Sequence, residues 1–174
     1  MKGNQTLPDK DFIALSMINR SVICWKNEHC SPYSLTAAQL PIVVLACYYG
    51  KISQNEVVSL LGLDKSVVSK SVGTLIASGF LTKKKNPDDS RAYDLMPTAK
   101  SMNCFPDLLL LGQSCMNLLT DGFSEEEKQV FSLLLEKMVR NAAKLKEPGS
   151  EHNFVNSRPD QKNESVPDRA GSAG

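Results

Sequence analysis

The chain has 174 residues, of which 41% are apolar, and its formal net charge is only +1. This length fits one domain of ordinary size with a tail, and the apolar share is enough for a hydrophobic core. No apolar run is long enough to span a membrane and no secretory leader is recognisable, so we expect a cytoplasmic protein without a membrane partner. The small net charge excludes a uniformly basic nucleic-acid binder, but it permits a local basic patch.

Cysteine and histidine usage argues against disulfide, metal and catalytic chemistry. The chain has five cysteines, an odd number that cannot be fully paired, and they form no Cys-x-x-Cys motif. This predicts free thiols in a reducing compartment. The two histidines are His29 and His152, and no nucleophile motif, glycine-rich phosphate loop or paired-histidine spacing accompanies them. We therefore expect neither an enzyme nor a cofactor or metal site.

The N-terminal part predicts two helices. The first runs from about Asp9 to Asn27 and brings a set of apolar residues near one face. They are Phe12, Leu15, Ile18, Val22 and Trp25. A capping box at Thr36–Gln39 predicts a second helix from Ala37 to about Tyr49. Pro41 lies inside the first turns of that helix, so we expect it to cost a hydrogen bond or to cause a kink.

Two further helices have the spacing of a helix-turn-helix. A capping box at Ser53–Glu56 predicts a third helix over Gln54–Leu61. Asp64 is the N-cap candidate of a fourth helix, which should end before Gly79. Only Gly62–Asp64 join the two helices, as in a helix-turn-helix.

The fourth helix has one apolar and one polar face. The residues that should point inward are Val68, Val72, Leu75 and Ile76. The residues on the opposite face are Ser66, Ser69, Lys70 and Gly73. Small hydroxyls beside a lysine let a helix approach base edges and phosphates closely. The same pattern also fits the solvated face of an ordinary core helix.

A basic β-hairpin is predicted directly after that helix, within KKKNPDDSRAYDLMPT, residues 83–98. Its first strand is Leu81–Lys85, a turn follows at Asn86–Asp89, and the second strand extends from about Arg91 to Met96. In the second strand, Tyr93 and Leu95 alternate with Asp94 and Met96, as a half-buried strand requires.

A basic hairpin in this place is a wing. Lys83, Lys84 and Lys85 would lie along phosphates, and Arg91 would reach the minor groove. Asp89 can accept the guanidinium fork and hold Arg91 extended. The alternative is an ordinary polar turn, with a surface ion pair worth under about 1 kcal/mol.

The C-terminal part predicts two more helices and a tail. Thr98 is the N-cap candidate of a fifth helix, whose apolar pattern is interrupted by Pro106. A capping box at Ser124–Glu127 predicts a last helix from Glu125 to about Lys146, with apolar residues at helical spacing. From Glu147 the chain is polar and rich in Pro, Gly, Ser and Asn, which predicts a disordered tail.

From about Leu35 to Leu145 the sequence resembles the MarR-type winged helix-turn-helix transcriptional regulators. The matching stretches are LTAAQLPIVVLA, ISQNEVVSLLGLDKSVVSKSVGTLIASGFLTKKKNPDDSRAYDLMPTAKS and SEEEKQVFSLLLEKM. The most specific feature is the wing, where the family usually carries Asp-x-Arg and this chain has Asp89-Ser90-Arg91. The resemblance implies a minor-groove role for Arg91 and an orienting role for Asp89. It also implies the recognition-helix role for Lys65, Ser66, Ser69 and Lys70.

Three departures from the family pattern concern packing more than DNA contact. The chain has Asn86-Pro87 where the family often has Asp-Pro. It has Pro97-Thr98 and Ser101 where the family often has Leu-Thr followed by Gly. Gly73 lies inside the recognition helix and costs about 1 kcal/mol of helix propensity.

These features predict a mainly α (α+β) fold: a winged helix-turn-helix lobe with N- and C-terminal dimerisation helices. The predicted divisions are residues 1–35 (dimerisation helix), 36–98 (DNA-binding lobe), 99–146 (dimerisation helices) and 147–174 (disordered tail). The predicted function is a sequence-specific transcriptional repressor that binds a pseudo-palindromic site on double-stranded DNA as a homodimer. The predicted DNA-binding residues are Gln54, Lys65, Ser66, Ser69, Lys70, Lys83, Lys84, Lys85, Asp89 and Arg91.

A small aromatic effector is expected to release the DNA, from a cleft where the first, second and fifth helices meet. The expected lining residues are Met17, Trp25, Tyr33 and Tyr48, although the same residues also fit an ordinary core. Oxidation of Cys24 or Cys30 is the competing trigger. Two other interpretations stay open: a winged-helix module that binds protein instead of DNA, and a monomer with a buried last helix. A steep salt dependence of DNA binding would distinguish the first of these.

Overall fold

Helices dominate the structure, a computed structural model that describes residues 9–86 and 93–145. The helices are α1 (Lys10–Cys30), α2 (Leu40–Tyr49), α3 (Gln54–Leu61), α4 (Lys65–Ala77), α5 (Ala99–Leu119) and α6 (Glu125–Lys144). A 3-10 turn, Ser31–Tyr33, follows α1. The strands β1 (Ile52–Ser53), β2 (Leu81–Lys85) and β3 (Tyr93–Pro97) form an antiparallel sheet in the order β1-β3-β2. The predicted mainly helical fold with a winged lobe is confirmed.

The two helices of the helix-turn-helix are the predicted ones, and the described part of the second wing strand, Tyr93–Pro97, continues one residue beyond the predicted Met96. Gly62 takes a left-handed conformation (φ +58°) that turns the chain after α3, and Asp64 caps α4. The first wing strand has the predicted bounds. The wing turn at residues 87–89, Arg91, and the predicted tail at 147–174 lie outside the described residues.

The start of α2 differs from the prediction. Residues 37–39 form a turn, in which the amide of Thr36 donates to Oε1 of Gln39 at 3.0 Å, and the helix begins only at Leu40. Pro41 therefore lies in the first turn, where a helix has no partner for its N–H groups. The expected cost or kink at Pro41 is wrong for this reason.

A second correction concerns Pro106, which does not interrupt α5. The helix runs through it from Ala99 to Leu119. Two residues beyond Pro106, Leu108 is fully buried against the core, and α5 packs on α2. This packing holds the helix together, although an interior proline costs about 3 kcal/mol.

The start of α5 explains one departure from the family pattern. Thr98 caps the helix, and its amide donates to Oγ of Ser101 at 3.2 Å. The Ser101 side chain is fully buried and donates to the carbonyl of Phe80. A serine in place of the family's glycine thus ties α5 to the chain that enters β2.

The sheet contains one more strand than predicted, and its central strand breaks the predicted alternation. β1 is only two residues long, too short to give a sequence pattern, and it places Ser53 opposite Asp94. Asp94 was expected on the solvent side of β3, yet it is only 4% exposed. It is buried because β3 lies between two strands and because the carboxylate has partners there, as described below.

The core lies in the winged lobe, between the sheet and helices α2 to α5. The large side chains that are buried completely include Ile42, Val43, Val57, Val68, Leu75, Phe80, Leu81, Leu95 and Leu108. This core therefore fixes α3, α4 and the sheet as one body. The chain divides into two units at Lys128, within α6, and the second unit contains the rest of that helix. Within residues 9–86 and 93–145, no helix has the length and apolarity needed to cross a membrane.

Candidate nucleic-acid interface

The turn between α3 and α4 fixes the start of the candidate recognition helix. Oδ1 of Asp64 accepts hydrogen bonds from the amide and from the hydroxyl of Ser66, both at 2.9 Å. The side chain of Asp64 thus satisfies one of the free amides at the helix start. The Ser66 hydroxyl donates its proton to Asp64, so its remaining lone pairs can accept from a donor on DNA.

One face of α4 is free of core contacts and carries the predicted polar residues. Lys65, Ser66, Ser69 and Lys70 are exposed, while Val68, Val72 and Leu75 are buried on the other side. Gly73 is also exposed, and a Cβ built there would contact nothing within 4 Å. A helix face this small and polar can approach a groove floor closely.

Val67 is an interface candidate that the sequence pattern did not reveal. It is 44% exposed and precedes Val68, which is fully buried. An exposed valine on a recognition helix can contact the methyl group of thymine. Two consecutive valines in the sequence suggest buried residues, and only the packing of α4 in the structure shows that Val67 is the one that faces outward.

The three wing lysines are exposed, but they do not share one face. Lys83 pairs with Leu95 and Lys85 with Tyr93, whereas Lys84 pairs with Asp94. Because successive strand residues point to opposite faces, Lys84 lies on the other face from its two neighbours. The ammonium of Lys83 lies 4.2 Å from the centre of the Tyr93 ring, a cation–π contact that holds this lysine along the wing.

Asp94 joins the wing to the chain that enters α3. Nζ of Lys51 lies 3.3 Å from Oδ2 of Asp94, and Nδ2 of Asn86 donates to Oδ1 at 2.9 Å. The sequence pattern placed this carboxylate in solvent. Its role could have been suspected only from an acidic residue in the middle of a hairpin's second strand.

Three other predicted DNA-binding residues add little to the geometry of the candidate interface. Gln54 is half-buried at the first position of α3, directly after the cap residue Ser53. Asp89 and Arg91 lie outside the described residues. The structure thus brings together the α4 and β2 members of the predicted set in one lobe.

The predicted effector residues do not meet in one cavity. Met17 and Tyr48 are 65% and 72% exposed, and Trp25 stacks on His29 with ring centres 3.9 Å apart. The hydroxyl of Tyr33 donates to Oδ2 of Asp107 at 3.2 Å. Partial desolvation raises the pKa of Tyr33, and the bond to Asp107 raises it further.

A larger apolar cleft lies between α1, α2 and α5. Its volume is about 480 Å³, and its lining includes Lys26, Pro41, Val44, Gly112 and Met116 but none of the four predicted effector residues. Tyr33 instead lines a separate cavity of about 260 Å³. The cleft is predominantly apolar, and Lys26 is the one charged residue among the described residues of its lining, which suits a small aromatic acid.

The cysteines differ in exposure and acidity. All five are unpaired, and they lie within the described residues. Cys24 is exposed, whereas Cys30 is buried, and this burial raises the pKa of its thiol. Burial also raises the pKa of Cys47 to about 11. Because the thiolate is the reactive form, Cys24 is the better of the two redox candidates. No metal-holding group of His, Cys, Asp and Glu occurs in the described part of the chain.

Comparison with known proteins supports one family. Residues 33–92 match the model of the MarR family. The multiple antibiotic resistance protein MarR of Escherichia coli is 25% identical over 126 residues, which is 72% of this chain and 88% of that protein. The HTH-type transcriptional regulator YybA of Bacillus subtilis is 24% identical over 127 residues, which is 73% of this chain and 85% of that protein.

Solved structures have the same fold. A MarR protein from Peptoclostridium difficile has a TM-score of 0.76 at 28% identity, covering 81% of this chain and 92% of that one. A MarR-family regulator from Listeria monocytogenes, in complex with a 26mer DNA, has a TM-score of 0.74 at 23% identity, covering 79% and 91%. The winged lobe, the sequence match over residues 33–92 and these relatives together show that the chain is similar to the MarR family of winged helix-turn-helix transcriptional regulators.

Proposed function

We propose that the protein is a transcriptional repressor that binds a pseudo-palindromic DNA site as a homodimer and is released by a small aromatic effector. The observation that carries the proposal is that the exposed polar face of α4 and the exposed lysines of β2 belong to the same lobe, in which α4 contacts β2. The Listeria monocytogenes regulator in complex with DNA has this fold, which supports a DNA-binding role for the same lobe here.

The face of α4 would enter the major groove. Its hydroxyls at Ser66 and Ser69 are short enough to meet base edges, and Lys65 and Lys70 can reach phosphates or guanine acceptors. Because Ser66 donates to Asp64, it would act as an acceptor toward an amino group on a base. The wing would follow the adjacent backbone with its lysines, and Arg91, oriented by Asp89, would enter the minor groove.

A homodimer would cover apolar surface that the single chain leaves in water. On α1, Phe12 and Leu15 are 70% and 49% exposed, and on α5, Leu110 and Leu118 are exposed as well. Apolar surface of this extent on neighbouring helices is typical of a subunit interface. A two-fold axis would then present two copies of α4 to successive turns of the duplex.

The effector would act by binding one arrangement of the dimer better than the other. The cleft between α1, α2 and α5 is the best candidate for its site, because it is apolar and carries the ammonium of Lys26 at its lining. Of the four predicted effector residues, Tyr33 lines a separate cavity, which is a second candidate location for the effector.

Selection of bound duplexes from a random pool tests the proposal. We expect enrichment of one sequence with two related half-sites, and an affinity that falls steeply as salt is raised. A pool without enrichment, together with binding that does not depend on salt, would contradict the proposal and favour a winged-helix module that binds protein.

A further inference from the structure

Asp94 is a buried carboxylate in the middle of the sheet. Its side chain is only 6% exposed, and its two oxygens have different partners: Nζ of Lys51 near Oδ2 and Nδ2 of Asn86 at Oδ1. A buried charge is costly unless its partners compensate for its lost hydration. An apolar residue would fill a central strand more simply, so the charge points to a role other than packing.

The partners of Asp94 come from separate segments of the chain. Lys51 directly precedes β1, in which Ser53 caps α3, the first helix of the helix-turn-helix. Asn86 directly follows β2, the first wing strand. Asp94 is itself in register with Ser53 on one side and with Lys84 on the other. The carboxylate thus joins both wing strands to the segment that positions α3 and, through it, α4.

We propose that Asp94 is a positioning residue for DNA recognition: it fixes the direction of the wing relative to the helix-turn-helix, so that both contact one duplex together. The inference rests on the proposed DNA-binding function. Recognition by two elements needs their relative placement to be held within about 0.5 Å by surrounding contacts. Asp94 supplies such a contact at the point where the wing leaves the lobe.

The charge of Asp94 allows a clear test, because long-range electrostatics and a positioning role predict opposite changes in DNA affinity when the charge is removed. Asp94→Asn removes a negative charge, which by itself should strengthen attraction to phosphates. If Asp94 positions the wing, the same substitution should weaken specific binding. Asp121→Asn is the matched control, since it removes the same charge from an exposed site between α5 and α6.

The experiment uses the full-length protein and a duplex selected from a random pool. It compares the parent, Asp94→Asn, Lys51→Met, the double variant and Asp121→Asn. Affinity is measured by titration, wing contact by hydroxyl-radical protection in the minor groove, and α4 contact by protection of guanines from methylation in the major groove. Circular dichroism verifies that each variant is folded.

We expect Asp94→Asn to lower affinity about tenfold and to lose minor-groove protection while it keeps major-groove protection. Lys51→Met should lose the same protection, and the double variant should be no weaker than the weaker single variant, because both changes remove one contact. Asp121→Asn should bind at least as tightly as the parent. General destabilisation would instead reduce both kinds of protection together.

Several outcomes overturn the inference. Asp94→Asn that keeps minor-groove protection and binds as tightly as Asp121→Asn would show that the carboxylate has no positioning role. If Asp94→Asn does not fold, Lys51→Met decides the question. Retained minor-groove protection in Lys51→Met would contradict the positioning role, and loss of minor-groove protection alone would support it. If the parent protein enriches no duplex, the proposed function fails and this inference fails with it. If the parent enriches a duplex and Asp94→Asn behaves as Asp121→Asn does, only the inference fails.

Discussion

Arg91 is the side chain on which the proposed minor-groove contact depends. Arg91→Ala should weaken binding to the selected duplex by about 1–3 kcal/mol and leave the thermal unfolding temperature unchanged, because the side chain is proposed to contact DNA and not the core. The matched control is Arg140→Ala, an exposed arginine on α6 whose ion pair with Glu136, 3.7 Å long, should contribute under about 0.5 kcal/mol. Equal affinity of Arg91→Ala and the parent at moderate salt would contradict the wing contact.

Gly73 gives a prediction about the stability of the recognition helix. Its position is helical, and an added methyl group would meet no atom within 4 Å. Gly73→Ala should therefore raise the free energy of unfolding by about 0.5–1 kcal/mol, through the higher helix propensity of alanine. Urea unfolding of the parent and the variant measures this difference. A variant less stable than the parent would mean that the glycine meets a constraint within the protein.

Side chains differ in how well the sequence predicts their place. The inward and outward faces of α4 were predictable because a helix repeats every 3.6 residues, and Val68 and Ser69 lie where that period puts them. Asp94 was not predictable, because its burial depends on Lys51 and Asn86, which approach from other segments. Local periodicity does not contain such contacts.

The starts of α3, α4, α5 and α6 were predictable because capping is local chemistry, whereas α2 begins later than the box at Thr36–Gln39 predicts. The boxes at Ser53 and Ser124 and the caps at Asp64 and Thr98 all form as the sequence indicates. The elements that differ depend on tertiary contacts: β1 exists only because it pairs with β3, and α5 continues past Pro106 because Leu108 packs into the core. The contact between α4 and β2 was predictable, because these elements follow one another directly in the chain.

The cap of α3 makes a prediction about pH. Oε2 of Glu56 accepts from the amide of Ser53 at 2.7 Å, and hydrogen bonds with Ser53 lower the pKa of Glu56 below its usual value. A lowered pKa in the folded state stabilises the protein above the unfolded pKa, and this contribution is lost as the pH falls through the folded value. Glu56→Gln should therefore be less stable than the parent at pH 7 by a few tenths of a kcal/mol, since the group is largely exposed.

The difference should vanish in acid, where Glu56 is protonated and resembles the amide. Urea unfolding of both proteins at neutral pH and at a pH below the pKa of Glu56 measures it. An equal difference at both pH values would show that the charge of Glu56 does not contribute to the cap.

Assembly can be tested on the whole molecule through an exposed apolar residue. Leu15→Asp changes a side chain that is 49% exposed in the single chain, so it should leave the fold intact while it places a charge in the proposed interface. We expect the parent to sediment as a dimer, and the variant as a monomer with much weaker DNA binding. Leu60→Asp is the control, because Leu60 is 54% exposed on α3, away from the proposed interface. Dimeric Leu15→Asp would exclude this face of α1 from the interface.

Release from DNA requires that an effector or an oxidant favour one arrangement of the two winged lobes of the proposed dimer. Two variants distinguish these triggers. One variant carries serine at exposed Cys24 and alanine at the other four cysteines, three of which are buried. A second variant, Gly112→Leu, fills the cleft between α1, α2 and α5, since a Cβ at Gly112 meets nothing within 4 Å.

We expect at least one small aromatic acid to weaken DNA binding of the parent and of the cysteine-free variant, because its ring can occupy the apolar cleft and its carboxylate can pair with Lys26. Gly112→Leu should bind DNA as the parent does but lose this response, because its side chain occupies the same space. We expect little specific effect of peroxide through Cys30 and Cys47, since burial raises the pKa of both thiols and keeps them protonated. Titration of each protein on a labelled duplex measures all of these responses. Release of the parent by peroxide, with no release of the cysteine-free variant, would instead assign the switch to a thiol, with exposed Cys24 as its first candidate.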